Sequence, residues 1–189
     1  MLPILRAAMD SVAAGSTKKI LVVVSDNRQG PPRGEIERSS GDGSVAILIT
    51  NEPTLAKLNG AHSISDNIID NWRSTGDVFV RTWEDRFATE EGLERLTRET
   101  LDGFWNKYHI GPNDIGKVAM SAPDLRRHTR LSQQLGFERS QMQDPLFGKM
   151  GNTGAAFPLM LLCQALENSL EHQKCLLIAY GDGCDVISF

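Results

Sequence analysis

The chain has 189 residues, of which 40% are hydrophobic and 23% charged, and its formal net charge is −4. These values are ordinary for a globular protein with one sizeable core or two small ones. They argue against a general nucleic-acid surface and against binding to an anionic membrane, and no apolar run reaches the length of a membrane span. The three cysteines have no metal-ligand spacing, and the N-terminus lacks the pattern of a signal peptide, so a reduced, cytoplasmic setting is expected.

The first fifty residues predict one helix and two strands. Apolar side chains recur at helical spacing in residues 3–14, and Gly15 is a plausible stop. Residues 20–24 form a continuous apolar run, and residues 44–49 are apolar after Ser44. Such runs are typical of strands that are buried on both faces. The intervening residues 29–40 contain two prolines and two glycines and predict a loop.

The middle of the sequence is less regular until a long helix begins. Residues 55–65 predict a weak strand, and residues 67–77 are polar and irregular. Residues 78–87 mix aromatic and charged side chains, a composition that fits a cleft lining, a half-exposed strand or a clamp on the next helix. Thr89 is the predicted N-cap of that helix, and an apolar stripe between residues 93 and 108 gives it one buried face.

The remaining elements complete an α/β pattern. Residues 118–120 predict a short strand, and Asp124 can cap a helix that runs to about residue 136. Residues 175–180 and 184–189 predict two more strands after a further apolar helix. This order of elements predicts an α/β fold with a mixed sheet between helix layers.

The loop at residues 149–156 is the most distinctive stretch, because Asn152 lies between two glycines just before the apolar helix. Pro158 is tolerated only near the first turn, so this helix should begin close to Ala155. The first turn offers unpaired N–H groups and the positive end of the helix dipole. An amide side chain held there can bind a small polar group such as a thioester oxygen. The ordinary alternative is an N-cap with a glycine-rich entry.

Five segments, occurring in the same order, resemble the thiolase superfamily of condensing enzymes. In particular, they are similar to ketoacyl-carrier-protein synthase III and to bacterial or archaeal hydroxymethylglutaryl-CoA synthase-like proteins. The segments are residues 20–26, 41–48, 121–126, 151–156 and 180–189. Residues 72–92 also resemble the second group. The resemblance implies a thiolase-like fold that is only partly present, with residues 1–50 forming the end of the N-terminal half and residues 51–189 the C-terminal half.

The resemblance also implies a mechanism and its site. In the family, a cysteine takes up the acyl group, and a histidine and an asparagine stabilise the enolate or oxyanion of a second thioester during Claisen-type condensation. The asparagine matches Asn152. The family segment His-x-x-Asn-x-Arg matches residues 121–126, which puts Ser121 at the histidine position and Asp124 at the polar position. The cysteine would precede Met1. With both cysteine and histidine missing, this chain alone is expected to be inactive.

Four further residues acquire substrate-binding roles from the resemblance. Arg126 matches a position that receives an acidic carrier protein or the phosphates of CoA, although a solvated helix charge is an equal alternative. Gly154 belongs to the asparagine loop, and Gly183 and Cys184 belong to a glycine-rich loop near the family's acyl pocket. Because no base accompanies Cys184, a small packed residue is the favoured interpretation. His128, about two helical turns beyond Ser121, is expected on the surface or on a helix face.

Three hypotheses follow for the function. The first is a partial condensing acyltransferase that acts on acyl-CoA or acyl-carrier protein, needs no cofactor, and depends on a complementary thiolase half for its nucleophile. The second is a non-catalytic thiolase-fold partner or scaffold, and the third is a truncated product with no independent role. Half of a doubled fold leaves apolar faces uncovered, so a homo-oligomer or a complex with the complementary half is expected.

Overall fold

The computed structural model describes residues 2–189. In chain order its elements are α1 (Leu2–Ala13), β1 (Lys19–Asp26), α2 (Glu35–Ser39), β2 (Gly43–Thr50), β3 (Gly60–Ser65), β4 (Asn71–Trp72), β5 (Arg81–Thr82), α3 (Asp85–Phe87), a π-helix (Ala88–Glu94), α4 (Arg95–Tyr108), a 3-10 turn (Pro112–Asp114), β6 (Lys117–Met120), α5 (Leu125–Gln134), a second 3-10 turn (Gly154–Ala156), α6 (Phe157–Glu167), β7 (Cys175–Gly181) and β8 (Gly183–Ser188). None of the helices in this range is long and apolar enough to cross a bilayer.

The main sheet has four strands in the order β3-β8-β7-β6. Strands β6 and β7 are parallel, whereas β8 runs antiparallel to both of its neighbours. Alternate side chains of β7 enter two separate cores. Leu177 joins α1 and α6 on one face, and Ile178 joins α4 and α5 on the other. The predicted mixed sheet between helix layers is therefore confirmed.

Strands β1 and β2 form a separate antiparallel pair, in register from Lys19 opposite Thr50 to Asp26 opposite Gly43. Their inner face packs against α1 and α6 around Val22, which is 5% exposed. The sequence predicted that these two strands are buried on both faces, and this prediction is wrong for the outer face. On the outer face Leu21, Val23 and Leu48 are 61%, 63% and 55% exposed. No element within residues 2–189 covers that face, which we call the outer β1–β2 face.

The long helical region begins earlier than the sequence predicts. Glu84, not Thr89, is the N-cap, because its carboxylate accepts hydrogen bonds from the backbone N–H groups of Arg86 (3.0 Å) and Phe87 (2.7 Å). Thr89 lies inside the π-helix, where its hydroxyl donates to the carbonyl of Asp85 (2.8 Å). A π-helix has i→i+5 hydrogen bonds, which widen the turn, and it is frequent at functional sites. Three residues of this wide turn, Ala88, Thr89 and Leu93, line the cavity described below.

Other local predictions hold or shift by a few residues. The carboxylate of Asp124 caps α5 by accepting a hydrogen bond from the backbone N–H of Arg127 (2.9 Å). Gly15 takes a positive φ of 75° just after α1, as a helix-ending glycine does. The predicted loop at 29–40 contains the short helix α2.

Candidate functional site

A cavity of about 360 Å³ lies beyond the carboxyl ends of the parallel strands β6 and β7. Its wall is built from five parts of the chain that are distant in sequence. Their principal side chains are Arg28, Glu35, Asp70, Trp83, Thr89, Ser121, Asp124, Arg127, Asn152 and Tyr180. The carboxyl ends of strands are the usual place for ligands in open α/β sheets, and the volume is within the range of small-molecule sites.

Asn152 is held in one orientation by both its backbone and its side chain. Its N–H donates to the carbonyl of Ser39 (2.8 Å), and its own carbonyl accepts from the N–H of Gly41 (3.1 Å). The side-chain oxygen Oδ1 accepts from the N–H of Gly154 (2.9 Å), while Nδ2 donates a long bond to the carbonyl of Ala122 (3.4 Å). With Oδ1 occupied and Nδ2 weakly bound at the cavity wall, the amide can donate a hydrogen bond to a ligand there.

The carboxylate of Asp26 fixes the loop around Asn152 by a hydrogen bond. Asp26, at the end of β1, accepts a hydrogen bond from the N–H of Ala155 (2.9 Å) and lies 3.4 Å from Nε of Arg28. Gly154 has a φ of +61°, and any Cβ there would overlap the Asp26 carboxylate. Glycine is therefore required for close packing and not only for the turn. Nothing in the local sequence pattern singles out Asp26, because it is brought to this loop across 129 positions of the chain.

Ser121, which the sequence resemblance aligned with the family histidine, lines the cavity together with Asn152 but has no base beside it. It is 8% exposed, and its N–H donates to the carbonyl of Ile178 (3.0 Å). Its hydroxyl oxygen accepts a long bond from the N–H of Tyr180 (3.4 Å). No histidine among residues 2–189 lines the cavity, and His128 is buried elsewhere on α5. The pair of Ser121 and Asn152 can thus bind a polar group, but it lacks an imidazole to exchange a proton with that group.

Arg127, not Arg126, faces the cavity. Its guanidinium forms ion pairs with Asp124 and Asp85 and donates from Nε to the hydroxyl of Thr89 (3.0 Å). Arg126 is exposed on the other side of α5 and is not part of the cavity wall. Arg127 therefore connects the first turn of α5 with the π-helix and forms the cavity wall between them.

Replacing Arg127 with methionine should lower the free energy of unfolding by about 2 kcal/mol, because hydrogen bonds to charged groups typically contribute 1.5–3 kcal/mol. Urea unfolding followed by circular dichroism measures the change. The matched control is Arg126→Met, on the same helix and exposed, which should change stability by less than about 0.5 kcal/mol. Equal effects of the two substitutions would contradict the role of Arg127.

Gly183 and Cys184 lie behind the cavity and do not line it. Cys184 is 2% exposed in the core between the sheet and α4, and its sulfur is 3.9 Å from the hydroxyl of Thr97. Burial raises the pKa of this thiol to about 12, so it carries no thiolate near neutral pH. Gly183 has a φ of +123° and abuts the backbone of Ile64 in β3. Both residues therefore act in packing within the described chain.

Two other wall residues were not predicted from the sequence. Burial raises the pKa of Asp70 above its ordinary value. The Tyr180 hydroxyl is buried over Gly92 of the π-helix and has no hydrogen-bond partner within residues 2–189. Burial is also the main cause of the raised pKa of Tyr180. Within the same residues, no three His, Cys, Asp or Glu side chains are grouped as metal ligands would be.

Known proteins resemble this chain in both sequence and fold. The hydroxymethylglutaryl-CoA synthase of Thermoplasma acidophilum is 27% identical over 179 residues, which cover 94% of this chain and 51% of the synthase. The crystal structure of HMG-CoA synthase complexed with CoA matches all of this chain with a TM-score of 0.86, at 18% identity and over 52% of that structure. The chain therefore has part of the thiolase-like fold of these synthases. No protein-family model matches it.

A 3-oxoacyl-carrier-protein synthase shares the fold as well. The 3-oxoacyl-[acyl-carrier-protein] synthase III of Aquifex aeolicus VF5 matches 99% of the chain with a TM-score of 0.78 and 17% identity, over 62% of that structure. The resemblance to condensing enzymes is thereby confirmed. The chain spans about half the length of the HMG-CoA synthases it matches.

Proposed function

We propose that this thiolase-superfamily chain binds acyl thioesters, carried by CoA or by an acyl-carrier protein, in the cavity beside Asn152. The observation that carries the proposal is the orientation of the Asn152 amide, whose Oδ1 is bound to the N–H of Gly154 (2.9 Å) while Nδ2 remains at the cavity wall. A donor held in this way suits the oxygen of a thioester. Ser121, Asp124 and Gly154 form the rest of the binding wall.

The chain transfers no acyl group by itself in this proposal. Ser121 occupies the position of the family histidine, and a nucleophilic cysteine would have to come from sequence outside these 189 residues. This proposal is supported by the length of the match, because the chain covers only about half of each related synthase. We propose the division between the two halves at residue 50, where the separate β1–β2 pair ends and the chain leads to the main sheet.

Replacing Asn152 with alanine should weaken binding of butyryl-CoA about 5-fold to 10-fold, because one hydrogen bond contributes about 1 kcal/mol. Isothermal titration calorimetry on the full chain measures this change. Asn67→Ala is the control, since Asn67 is exposed and lies outside the cavity wall. Unchanged affinity in Asn152→Ala would contradict the role of the amide, and no binding to the wild-type chain would contradict the proposed function.

Release of free CoA from butyryl-CoA tests the proposed lack of turnover. The isolated chain should release the thiol no faster than buffer does, since it lacks both nucleophile and base. Release that disappears in Asn152→Ala would show that the chain is catalytic alone.

The second candidate is a non-catalytic thiolase-fold partner. It is favoured by Ser121, whose hydroxyl only accepts a long hydrogen bond from the N–H of Tyr180 (3.4 Å) and has no base beside it. Co-purification with a chain that carries the nucleophile-bearing half separates the candidates. Acyl transfer by that complex supports the enzyme. A stable complex that transfers nothing, with or without Ser121→His, supports the scaffold.

A further inference from the structure

Asp144 precedes Asn152 in the chain and lies outside the cavity wall, and its carboxylate binds two groups of the loop between them. Its Oδ1 accepts a hydrogen bond from the backbone N–H of Leu146 (2.9 Å), and its Oδ2 accepts one from Nζ of Lys149 (2.7 Å). The bond with Lys149 is the main cause of the lowered pKa of this carboxyl, so both oxygens are acceptors near neutral pH. An aspartate that accepts from the N–H two residues later fixes a tight turn.

The residue bound by Asp144 has a backbone conformation that its type rarely adopts. Leu146 has a φ of +59°, in the left-handed region. Residues other than glycine are uncommon there, and the usual exceptions have short polar side chains that bond to their own backbone. Leucine has no polar side-chain atom for this purpose. The hydrogen bond to Asp144 therefore stabilises the conformation from outside the residue, together with the packing of the Leu146 side chain against the core of α1 and α6.

The left-handed residue sets the path of the chain into Asn152. The carbonyl of Leu146 accepts hydrogen bonds from three later backbone N–H groups, those of Lys149 (3.1 Å), Met150 (3.0 Å) and Gly151 (3.3 Å). Gly151 then passes so close to Ser39 that a Cβ would lie 2.7 Å from the Ser39 carbonyl oxygen. Asn152 follows directly, so the turn that Asp144 fixes determines the direction from which the asparagine reaches the cavity wall.

We propose that Asp144 is a positioning residue, which holds the turn at residues 144–151 so that the amide of Asn152 is presented to the cavity. The inference rests on the proposed function, because Asn152 is the donor that Asp144 positions. Asp144 touches no ligand and acts only through the turn. Its ion pair with Lys149 contributes little, because 50% of the Asp144 side chain and 68% of the Lys149 side chain are exposed. The hydrogen bond with the N–H of Leu146 is therefore the contact that matters.

Hydrogen exchange of the full chain, followed by mass spectrometry, tests the proposal without a ligand. In Asp144→Ala the backbone N–H groups of residues 149–154 should exchange about 5-fold faster than in the wild type, because the turn opens more often, and exchange in β7 should not change. Asp144→Asn should stay near the wild type, since its side-chain oxygen can still accept from the N–H of Leu146. Asp114→Ala is the matched control, because Asp114 accepts from the N–H of Gly111 (2.8 Å) in another exposed turn, and it should leave residues 149–154 unchanged.

Calorimetric titration with butyryl-CoA separates positioning from a general loosening of the structure. Asp144→Ala should weaken binding about 3-fold, less than Asn152→Ala does, because the amide is misplaced and not removed. In the Asn152→Ala background the same substitution should cause no further loss, since the effects of two residues that act through one contact do not add.

Unchanged exchange at residues 149–154 in Asp144→Ala, or an equal increase in β7, would overturn the positioning role. An equal loss of affinity from Asp144→Ala in the wild-type and Asn152→Ala backgrounds would overturn it as well. A wild-type chain that binds no butyryl-CoA would overturn the proposed function, and the exchange of residues 149–154 would then decide the positioning role alone.

Discussion

The free energy of unfolding should fall by about 3 kcal/mol between pH 7 and pH 4 because of one buried histidine. His128 is 4% exposed, and its Nε2 has no hydrogen-bond partner within residues 2–189. Burial lowers its pKa from 6.5 to about 4, and the nearby carboxylate of Asp144 opposes this only in part. Of the two positions expected from the sequence, the surface is wrong, and His128 lies on the buried face of α5.

The sign of the effect follows from proton binding. In the unfolded chain His128 takes up a proton near pH 6.5, whereas in the folded chain it remains neutral down to about pH 4. The unfolded state therefore binds more protons in this window, and stability present above pH 6.5 is lost as the pH falls. Each unit of pKa difference corresponds to about 1.4 kcal/mol.

Urea unfolding of the wild-type chain and of His128→Leu at pH 7 and pH 4 measures the contribution. The variant should lose about 3 kcal/mol less than the wild type over this range. A smaller decline should remain, from carboxylates such as Asp144, whose pKa is lowered chiefly by its hydrogen bond with Lys149. His172→Leu, with an exposed side chain, is the control and should behave as wild type. An identical pH dependence in His128→Leu would contradict the assignment.

Light scattering on the isolated chain should give a mass above the 20.8 kDa of a monomer. The outer β1–β2 face exposes Leu21, Val23 and Leu48 side by side on two strands whose sequence pattern is that of two-sided burial. Within residues 2–189 neither β1 nor β2 pairs with a third strand, so both edges of the pair offer unpaired backbone groups. We propose that the complementary half covers this face, and that copies of the chain associate through it when that half is absent.

Threonine at positions 21, 23 and 48 should weaken self-association about 100-fold and shift the mass toward the monomer. The estimate assigns about 1 kcal/mol to each half-exposed apolar side chain, and threonine keeps the β propensity of the strands. Threonine at Leu55, Leu125 and Leu170, which are 80%, 53% and 76% exposed, is the matched control and should leave the mass unchanged. A monomeric wild-type chain at tens of micromolar, or equal effects of both triple variants, would contradict the proposed interface.

Several features were predictable because they depend on neighbours in the sequence. Asp124 caps α5 through a hydrogen bond to the N–H three residues later, a pattern that needs only local geometry. The apolar period of α4 and the continuous run of β7 defined their buried faces in advance. The glycines around Asn152 marked a tight loop before a helix, and the order of five motifs identified the fold.

Other features depend on contacts between distant segments, which local patterns do not contain. Successive helix positions differ by about 100° around the axis, so neighbouring arginines of α5 point in different directions, and packing put Arg127 on the cavity wall. Asp26 reaches the loop of Asn152, and Trp83 reaches the cavity wall, only because the sheets and helices pack together. Cys184 became a buried thiol because α4 covers its strand.

The sequence by itself determined the α/β order, the resemblance to condensing enzymes and the helix-start loop of Asn152, because these are encoded in short-range spacing. The tertiary structure alone decided which polar groups converge on one cavity and which apolar faces are covered. The outer β1–β2 face illustrates the difference. Its side chains are suited to burial on both sides, yet burial requires a second surface, and none of residues 2–189 provides one.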